Sequence, residues 1–306
     1  MMLFTAIKPM LASSGAAALD DANYIFEPKW DGARMLLHKQ GSRIEVYTRS
    51  GNKVTSQFPE IGQVGAAIKR HTVVLDCEGI VIRSGQACFD DIAYRLRLSQ
   101  SLKIKQAAGT HPVTFVAFDL LFTDRPHVDE PLLTRKARLI EAIETTPVLM
   151  PTMYVEDQGQ AMFDVTREQG MEGMIAKRKD SAYVPGLRSA DWLKTKHARS
   201  IDVMILGYKL NPFELVMGLN FRTVKHKPVG FVRDGISSSD QELFFKLVKE
   251  MPTRLDQQTY WLEPPQLCCQ ITYQDRSDTH QLGEAVFVQF MPAKDPETCL
   301  WHSSGT

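Results

Sequence analysis

A short charged turn between two apolar segments constrains the fold of this chain more than any other stretch of the sequence. One apolar run covers residues 24–26, another covers residues 35–37, and the turn itself contains Asp31 and Gly32. Asp-Gly is a common turn sequence, and short apolar runs that end at such a turn are typical of buried strands. The pattern therefore predicts two strands joined by this turn, with Lys29 held at the end of the first strand.

Further strands and helices are predicted over the first two thirds of the chain. Residues 34–38 and 43–48 form a hairpin pattern, and residues 72–83 and 113–121 are nearly continuous apolar strands. The strand at 72–83 contains Asp76 and Glu78, which are costly to bury without a partner or ligand. Helical spacing predicts helices over residues 61–70, 92–102, 133–144 and 158–169, with Thr134 as a cap of the third helix.

The composition changes near Ser200 to short β-like segments with one helix over residues 240–251. This arrangement suits a small OB-type barrel. We therefore expect two domains, residues 1–198 and residues 199–306. The predicted strands of the second domain cover residues 201–208, 214–222, 229–234, 267–273 and 285–291.

Composition excludes few functions. Lys plus Arg and Asp plus Glu number 36 each, so any nucleic-acid-binding surface must be local. The five cysteines show no zinc-like spacing and are predicted to be buried thiols in a reducing compartment. Lys8 and Pro9 interrupt the apolar start of the chain, which argues against a signal peptide, and no run reaches the ~20 apolar residues of a membrane span. We expect a soluble, cytoplasmic protein.

Six motifs, of which the charged turn is the first, occur in a fixed order: Lys29-x-Asp31-Gly32-x-Arg34, Arg49-Ser50-Gly51, Asp76-x-Glu78-Gly79, Phe118-Asp119, Glu172-Gly173-x-x-x-Lys177 and Lys194-x-Lys196. Their order and spacing resemble those of the ATP-dependent DNA ligases, a branch of the covalent nucleotidyltransferases that include RNA ligases and mRNA capping enzymes. The resemblance covers residues 9–292, and the layout is most similar to bacterial end-joining ligases and small phage ligases.

The resemblance implies an α+β fold. An ATP-grasp-like nucleotidyltransferase domain of antiparallel sheets flanked by helices would be followed by a β-barrel OB-fold domain. It also implies an enzyme that seals 5′-phosphate/3′-hydroxyl breaks in nicked or broken double-stranded DNA, through a covalent lysyl-AMP and a DNA-adenylate. The cofactors would be ATP and either Mg²⁺ or Mn²⁺. The enzyme would act in DNA repair or end joining at the nucleoid, and the bacterial Ku end-binding protein would be a further partner.

Residue roles also follow from the resemblance. Lys29 would be the nucleophile, and Lys194 and Lys196 would contact the α-phosphate. Glu78 and Glu172 would hold the metal ion, with Glu78 also near the ribose. The remaining nucleotide-binding residues would be Glu27, Arg34 at the ribose or the DNA end, Arg49 at a phosphate, Phe118 stacked on adenine, and Lys177.

A lysine nucleophile must be neutral. A free lysine, whose pKa is about 10.4, is only about a thousandth deprotonated at neutral pH. Nearby cations would favour the neutral amine, and Arg34, Lys194, Lys196 and a bound metal ion are the expected sources. Arginine cannot replace the nucleophile, because its delocalised guanidinium stays protonated.

The carboxy-terminal region departs from the ligase pattern. Gly283 lies where an arginine is common, and no Arg-x-Asp-Lys sequence follows Phe290. Either Arg276 or Lys294 takes over this role, or self-adenylylation is weak. Two other functions therefore stay open: a non-catalytic module that binds nicks or ends, and an RNA ligase or capping guanylyltransferase.

Overall fold

The computed structural model describes residues 3–15, 20–277 and 279–301. This part of the chain divides into two compact units, the first ending at Lys196 and the second beginning at His197. Strands predominate over helices in both units, as expected for an α+β fold. Within the described ranges, no helix has the length and apolar character needed to cross a membrane.

The strands of the first unit are β1 (Leu11–Ser14), β2 (Tyr24–Lys29), β3 (Ala33–Gln40), β4 (Arg43–Thr48), β5 (Thr72–Ile80), β6 (Ile82–Arg83), β7 (Gln86–Ala87), β8 (Thr114–Phe122), β9 (Leu149–Pro151), β10 (Val155–Glu156), β11 (Gly173–Arg178) and β12 (Arg188–Lys196). Its helices are α1 (Ile61–Ala66), α2 (Phe89–Arg97), α3 (Ser101–Thr110), α4 (Leu132–Ala142) and α5 (Gly159–Glu168). The two strands predicted on either side of the charged turn are confirmed as β2 and β3.

Two sheets organise the first unit. One sheet has the strand order β1-β12-β11-β2-β10, and the other has the order β4-β3-β5-β8-β9. Most neighbouring strands are antiparallel; β1 with β12 and β8 with β9 are parallel. Because β2 lies in one sheet and β3 in the other, the charged turn passes from sheet to sheet.

An apolar layer forms where the two sheets pack together. Leu36 of β3, Val74 of β5, Phe118 of β8 and Trp192 of β12 belong to this layer, as does Met10. Side chains alternate between the faces of a strand, so Arg34 on β3, Asp76 on β5 and Lys194 on β12 also face this layer. That alternation decides where the charged motif residues lie.

Helices cover the outer faces of both sheets. Val64 of α1, Ile92 of α2 and Leu139 of α4 pack on the β3-β5-β8 sheet, and Met162 of α5 packs against Phe26 and Met174 of the other sheet. This sandwich agrees with the α+β class predicted from the sequence.

Several predicted helix boundaries were wrong. The helix expected over residues 92–102 is divided into α2 and α3, because residues 98–100 are not helical. The helix that begins at Ile61 ends at Ala66, short of the expected residue 70. Pro131, not Thr134, occupies the N-cap position of α4; proline is well suited to the start of a helix, where its missing N–H costs no hydrogen bond.

The second unit consists of β13 (Arg199–Leu210), β14 (Phe213–Leu219), β15 (Lys227–Val232), α6 (Ser238–Val248), β16 (Thr253–Asp256), β17 (Thr259–Leu262), β18 (Cys268–Tyr273), β19 (Asp275–Arg276), β20 (Leu282–Gly283) and β21 (Val286–Met291). Strand β13 pairs with β14, β17 and β18, while β18 also pairs with β21. A bridge between Asp234 and Val286 connects the segment after β15 to β21. The five predicted strands are present, and the hairpin β16-β17 was not predicted.

Candidate active site

The alternation of side chains directs the motif residues of both sheets into the space between the sheets. On β2, Phe26 packs outward under α5, so Glu27 and Lys29 have the opposite orientation. On β12, Trp192 belongs to the layer between the sheets, and Lys194 and Lys196 share its face. The prediction that both lysines lie on one face of this strand is confirmed.

Lys29, Glu172 and Lys196 form an ion-paired cluster at one end of this space. The Glu172 carboxylate contacts Lys29 Nζ through one oxygen and lies 2.5 Å from Lys196 Nζ through the other. Burial alone would raise the pKa of Glu172, but the two ammonium groups outweigh burial and lower this pKa to about 2. Glu172 is therefore ionised at neutral pH and holds two lysines of different strands together.

Strand pairing explains this convergence. Gly173 is opposite Lys29 in the β11-β2 pair and opposite Lys196 in the β11-β12 pair, so Glu172 lies between both lysines. Gly173 has φ +149°, and a Cβ there would overlap the Thr195 carbonyl oxygen and lie 2.8 Å from Lys196 Cα. Only glycine allows β11 to approach β12 this closely.

The charged turn is packed closely against β5. A Cβ on Gly32 would lie 2.5 Å from the Gly79 carbonyl oxygen and 2.9 Å from Glu78 Cγ. Trp30 Nε1 donates a hydrogen bond to Thr152 Oγ1 at 3.1 Å, which anchors the turn from the other side. The position of Lys29 relative to Glu78 thus depends on a turn with little freedom.

Glu78 faces the same space from β5. Its carboxylate makes no hydrogen bond or ion pair with any described residue, although Arg34 is its register partner on β3. Burial raises the pKa of Glu78 to about 8, and the positive charges of Arg34 and Lys29 oppose this increase. The side chain is thus a carboxyl group placed in the site without a partner among the described residues.

Arg34 is bound to Asp76 instead of Glu78. Its Nε and Nη2 donate to the two Asp76 oxygens at 2.5 and 2.6 Å, and Nη2 also donates to the Met10 carbonyl at 3.1 Å. The guanidinium carbon lies 4.4 Å from the centre of the Phe118 ring. Two of its three nitrogens are engaged, which restricts the predicted contact with a ribose or DNA end to the third.

Glu27, Lys177 and Lys136 form a second charged cluster, buried beside Phe118. Glu27 contacts Lys136 of α4 and lies 2.7 Å from Lys177 Nζ. Lys177 Nζ is also 4.3 Å from the ring centre of Phe118 and 4.1 Å from that of Trp192. Burial lowers the pKa of Lys177 to about 8, opposed by the charge of Glu27.

These contacts bear on three predicted nucleotide-binding residues. Glu27 and Lys177 are 2% and 1% exposed and are paired with each other. Phe118 is 7% exposed, with cations near its ring, so a base stacking on it must share the ring with Arg34 and Lys177. Their assignment to ATP stays a prediction.

Arg49 follows β4 and is exposed. Its side chain makes no ion pair with the described residues, and its backbone N–H donates to the Arg34 carbonyl at 3.1 Å. A phosphate contact by this guanidinium stays a prediction, as does the contact of Lys194 with an α-phosphate.

The two predicted metal ligands, Glu78 and Glu172, suit a hard divalent cation. In the described parts of the chain, no group of three or more His, Cys, Asp or Glu side chains is arranged to hold a metal ion. Mg²⁺, however, is commonly bound by one or two carboxylates together with water and substrate phosphates. The unpartnered Glu78 carboxyl, with its raised pKa, is the group that a divalent cation would stabilise in its ionised form.

Comparison with known proteins decides the family. The model of the ATP dependent DNA ligase domain matches residues 9–196, more than half of the chain. This chain belongs to the ATP-dependent DNA ligase family. The multifunctional non-homologous end joining protein LigD of Mycobacterium bovis is 34% identical over 209 residues, which are 67% of this chain and 26% of LigD. A DNA ligase of Thermococcus onnurineus is 30% identical over 95% of this chain and 56% of its own length.

A solved structure supports the ligase fold. The chain matches mycobacterial DNA ligase D complexed with ATP and MES with a TM-score of 0.56 and 26% identity, covering 97% of this chain and 98% of that one. The nucleotidyltransferase and OB-like domains expected from the sequence are therefore confirmed as the fold class. This ligase-family chain spans about a quarter of LigD and about half of the Thermococcus enzyme.

Both candidates for the missing carboxy-terminal ligase residues are engaged within the second unit. Lys294 Nζ lies 2.9 Å from Asp202 Oδ2, and the Arg276 guanidinium lies 5.0 Å from the Trp301 ring centre.

Sequence reasoning did not assign roles to Asp76, Lys136, Arg135 or Tyr183. Arg135 of α4 is fully buried and pairs with Asp119 at 2.8 Å. A signal was present for the two residues of α4, because both charges lie among the apolar positions of an amphipathic helix. For Asp76 the signal was its place in an apolar strand; for Tyr183 there was none.

Proposed function

We propose that this chain is an ATP-dependent DNA ligase that seals 5′-phosphate/3′-hydroxyl breaks in double-stranded DNA through a covalent lysyl-AMP. The observation that carries the proposal is the cluster in which Glu172 holds Lys29 and Lys196 together at the junction of three strands. In this proposal Lys29 is the nucleophile and Lys196 is the cation beside it.

In the first step, the neutral Lys29 amine attacks the α-phosphorus of ATP. A nitrogen–phosphorus bond forms, the bond from the α-phosphorus to the bridging oxygen of the β-phosphate breaks, and pyrophosphate leaves with that electron pair. Lys29 must first lose a proton, and the depressed pKa of Glu172 makes this carboxylate a poor acceptor, so the proton goes to solvent. Lys196 and Lys194 stabilise the charge that develops on the phosphate oxygens.

In the second step, an oxygen of the DNA 5′-phosphate attacks the same phosphorus, the nitrogen–phosphorus bond breaks, and Lys29 leaves as the amine after its nitrogen takes up a proton from solvent. In the third, the DNA 3′-hydroxyl attacks the 5′-phosphorus, the phosphodiester forms, and AMP leaves. A single flexible amine suits this cycle because it serves as nucleophile once and as leaving group once.

Glu78 and Glu172 would hold the divalent metal ion. When bound there, Mg²⁺ or Mn²⁺ neutralises phosphate charge and weakens the hold of Glu172 on the Lys29 ammonium. Glu78 would contribute a carboxylate for which no residue in the described ranges competes.

The experiment is incubation with α-labelled ATP or GTP and a divalent metal ion, followed by a chase with nicked DNA or nicked RNA. We expect label on the wild-type protein with ATP, transfer of the label to nicked DNA, and none on Lys29→Ala. Lys53→Ala is a matched control, since Lys53 pairs with Glu45 outside the site and should be labelled normally. Unlabelled wild type, or label that persists in Lys29→Ala, would refute the proposal.

The other arms separate the alternatives. Preferential labelling by GTP indicates a capping activity, and release only to nicked RNA indicates an RNA ligase. Binding to nicked DNA without labelling indicates a non-catalytic module.

An end-joining role rests on the names of the LigD relatives. We propose accordingly that the protein acts at the nucleoid with the bacterial Ku end-binding protein. As a separate proposal, residues 1–198 carry adenylylation and residues 199–306 are the OB-fold domain. Ku should stimulate joining of double-strand ends and leave nick sealing unchanged. Equal joining rates with and without Ku would favour nick repair.

A further inference from the structure

Tyr183 lies in the loop between β11 and β12, outside the motifs that assign roles in the site. Its side chain is 1% exposed, and its ring meets Trp192 edge-on at 5.7 Å. The phenolic O–H donates to Asp76 Oδ2 at 2.6 Å, and the oxygen accepts the Met10 N–H at 3.1 Å. The loop between two strands of one sheet is thus hydrogen-bonded to Asp76 on β5 of the other sheet.

Asp76 is the centre of this network. It is fully buried, and its two oxygens accept from Arg34 Nε, from Arg34 Nη2 and from Tyr183. Arg34 alone could pivot with the carboxylate about the Cβ–Cγ bond of Asp76. The third donor, which comes from a different segment, fixes the carboxylate plane and so fixes the guanidinium that pairs with it.

The backbone N–H and carbonyl of Met10 complete a ring of hydrogen bonds. Its N–H donates to Tyr183 and its carbonyl accepts from Arg34 Nη2 at 3.1 Å. The guanidinium is thereby held over Phe118 and beside its register partner Glu78. Loss of the phenolic oxygen would leave one Asp76 lone pair and the Met10 N–H without partners in a buried place.

We infer that Tyr183 is a positioning residue for nucleotidyl transfer, acting through Asp76 to hold Arg34 at the nucleotide. The inference rests on the proposed function, since its measure is the formation of lysyl-AMP. Tyr183 does not contact the reacting atoms; it holds in place Arg34, the cation predicted to bind the ribose or the DNA end.

The test compares Tyr183→Phe with Tyr47→Phe in single-turnover labelling by ATP. Tyr47 is a matched control because it is also buried and also donates to a carboxylate, that of Glu45, while its oxygen contacts the Phe4 carbonyl oxygen at 2.9 Å. Both changes remove one buried hydroxyl, so similar losses of stability are expected. At saturating ATP and a temperature where both are folded, we expect the labelling rate of Tyr183→Phe to fall about tenfold and that of Tyr47→Phe to stay within twofold.

A double-mutant cycle with Arg34→Lys provides a readout that a purely structural role would not change. The lysine of Arg34→Lys cannot form the paired contacts with Asp76. If Tyr183 acts through Arg34, adding Tyr183→Phe to this variant should therefore lower its labelling rate less than about twofold. Labelling of Tyr183→Phe at the wild-type rate, or a full tenfold loss in both backgrounds, would overturn the inference. Unlabelled wild type would refute the proposed function, and the inference with it.

Discussion

Glu78→Gln should change how the stability of the protein depends on pH. Burial raises the pKa of Glu78 from 4.5 to about 8, so between these values the folded protein binds one proton more than the unfolded chain. Stability must therefore fall as pH rises through this window. Glutamine keeps the shape of the side chain and does not titrate, so the free energy of unfolding of the variant should not show this decrease.

The size of the effect follows from the same pKa. At about 1.4 kcal/mol for each pH unit in the window, the upper limit is about 5 kcal/mol. Glu78 is partly exposed, and solvent screening reduces the expected effect to about 2 kcal/mol. The wild type should lose about this much stability relative to Glu78→Gln between pH ~5.5 and pH ~8.5.

Urea unfolding at several pH values measures the difference between the two proteins. Glu172→Gln is the matched control, because the pKa of Glu172 is lowered to about 2. The stabilisation that Glu172 provides is present above pH ~4.5 and is lost only as pH falls towards 2. The difference in free energy of unfolding between Glu172→Gln and wild type should therefore be constant from pH ~5.5 to pH ~8.5. Mg²⁺ at high pH should stabilise the wild type more than Glu78→Gln. A constant difference for Glu78→Gln would refute the reasoning.

Three further predictions concern the scaffold and the nucleophile. Gly173→Ala should reduce ATP labelling at least tenfold, because a Cβ would overlap the Thr195 carbonyl oxygen and separate β11 from β12; labelling kinetics check this. Lys29→Arg should unfold within about 1 kcal/mol of wild type in urea, since it can still pair with Glu172, and should take no label. Arg135→Ala should lower the free energy of unfolding by about 3–5 kcal/mol, because it leaves the fully buried Asp119 carboxylate unpaired; urea unfolding measures it.

Local pattern was sufficient for much of the fold and for the location of the motif residues. The period of two along the strands placed Lys194 and Lys196 on one face, and the Asp31-Gly32 turn placed Lys29 at a strand end. These features depend on neighbouring residues, which is why sequence could predict them.

Partners chosen by strand register could not be predicted in the same way. Lys29 was expected among cations, yet its nearest charged neighbour is Glu172, a residue 143 positions away. Arg34 pairs with Asp76, and Glu78 has no partner in the part of the chain that the structure describes, although both carboxylates lie in the same strand. Each outcome depends on how two distant segments align, and a shift of two residues would have exchanged the two carboxylates.

The charges between the sheets explain why pH, metal and nucleotide should be coupled in this site. Lys29, Lys196 and Arg34 are opposed by Glu172 and Asp76, while the raised pKa of Glu78 favours its neutral form at pH 7. These five groups thus sum to one excess positive charge, and Lys194, on the same face of β12 as Lys196, adds another. A triphosphate brings more negative charge than this excess can balance. A divalent cation would supply the remaining positive charge, but only if Glu78 releases its proton to bind it.

We therefore expect nucleotide and metal each to strengthen the binding of the other, and metal affinity to rise with pH up to about 8. Isothermal titration of Mg²⁺ with and without a non-hydrolysable ATP analogue, at pH ~6.5 and pH ~8.5, measures both couplings; metal affinity that is independent of pH in wild type and Glu78→Gln alike would contradict this account.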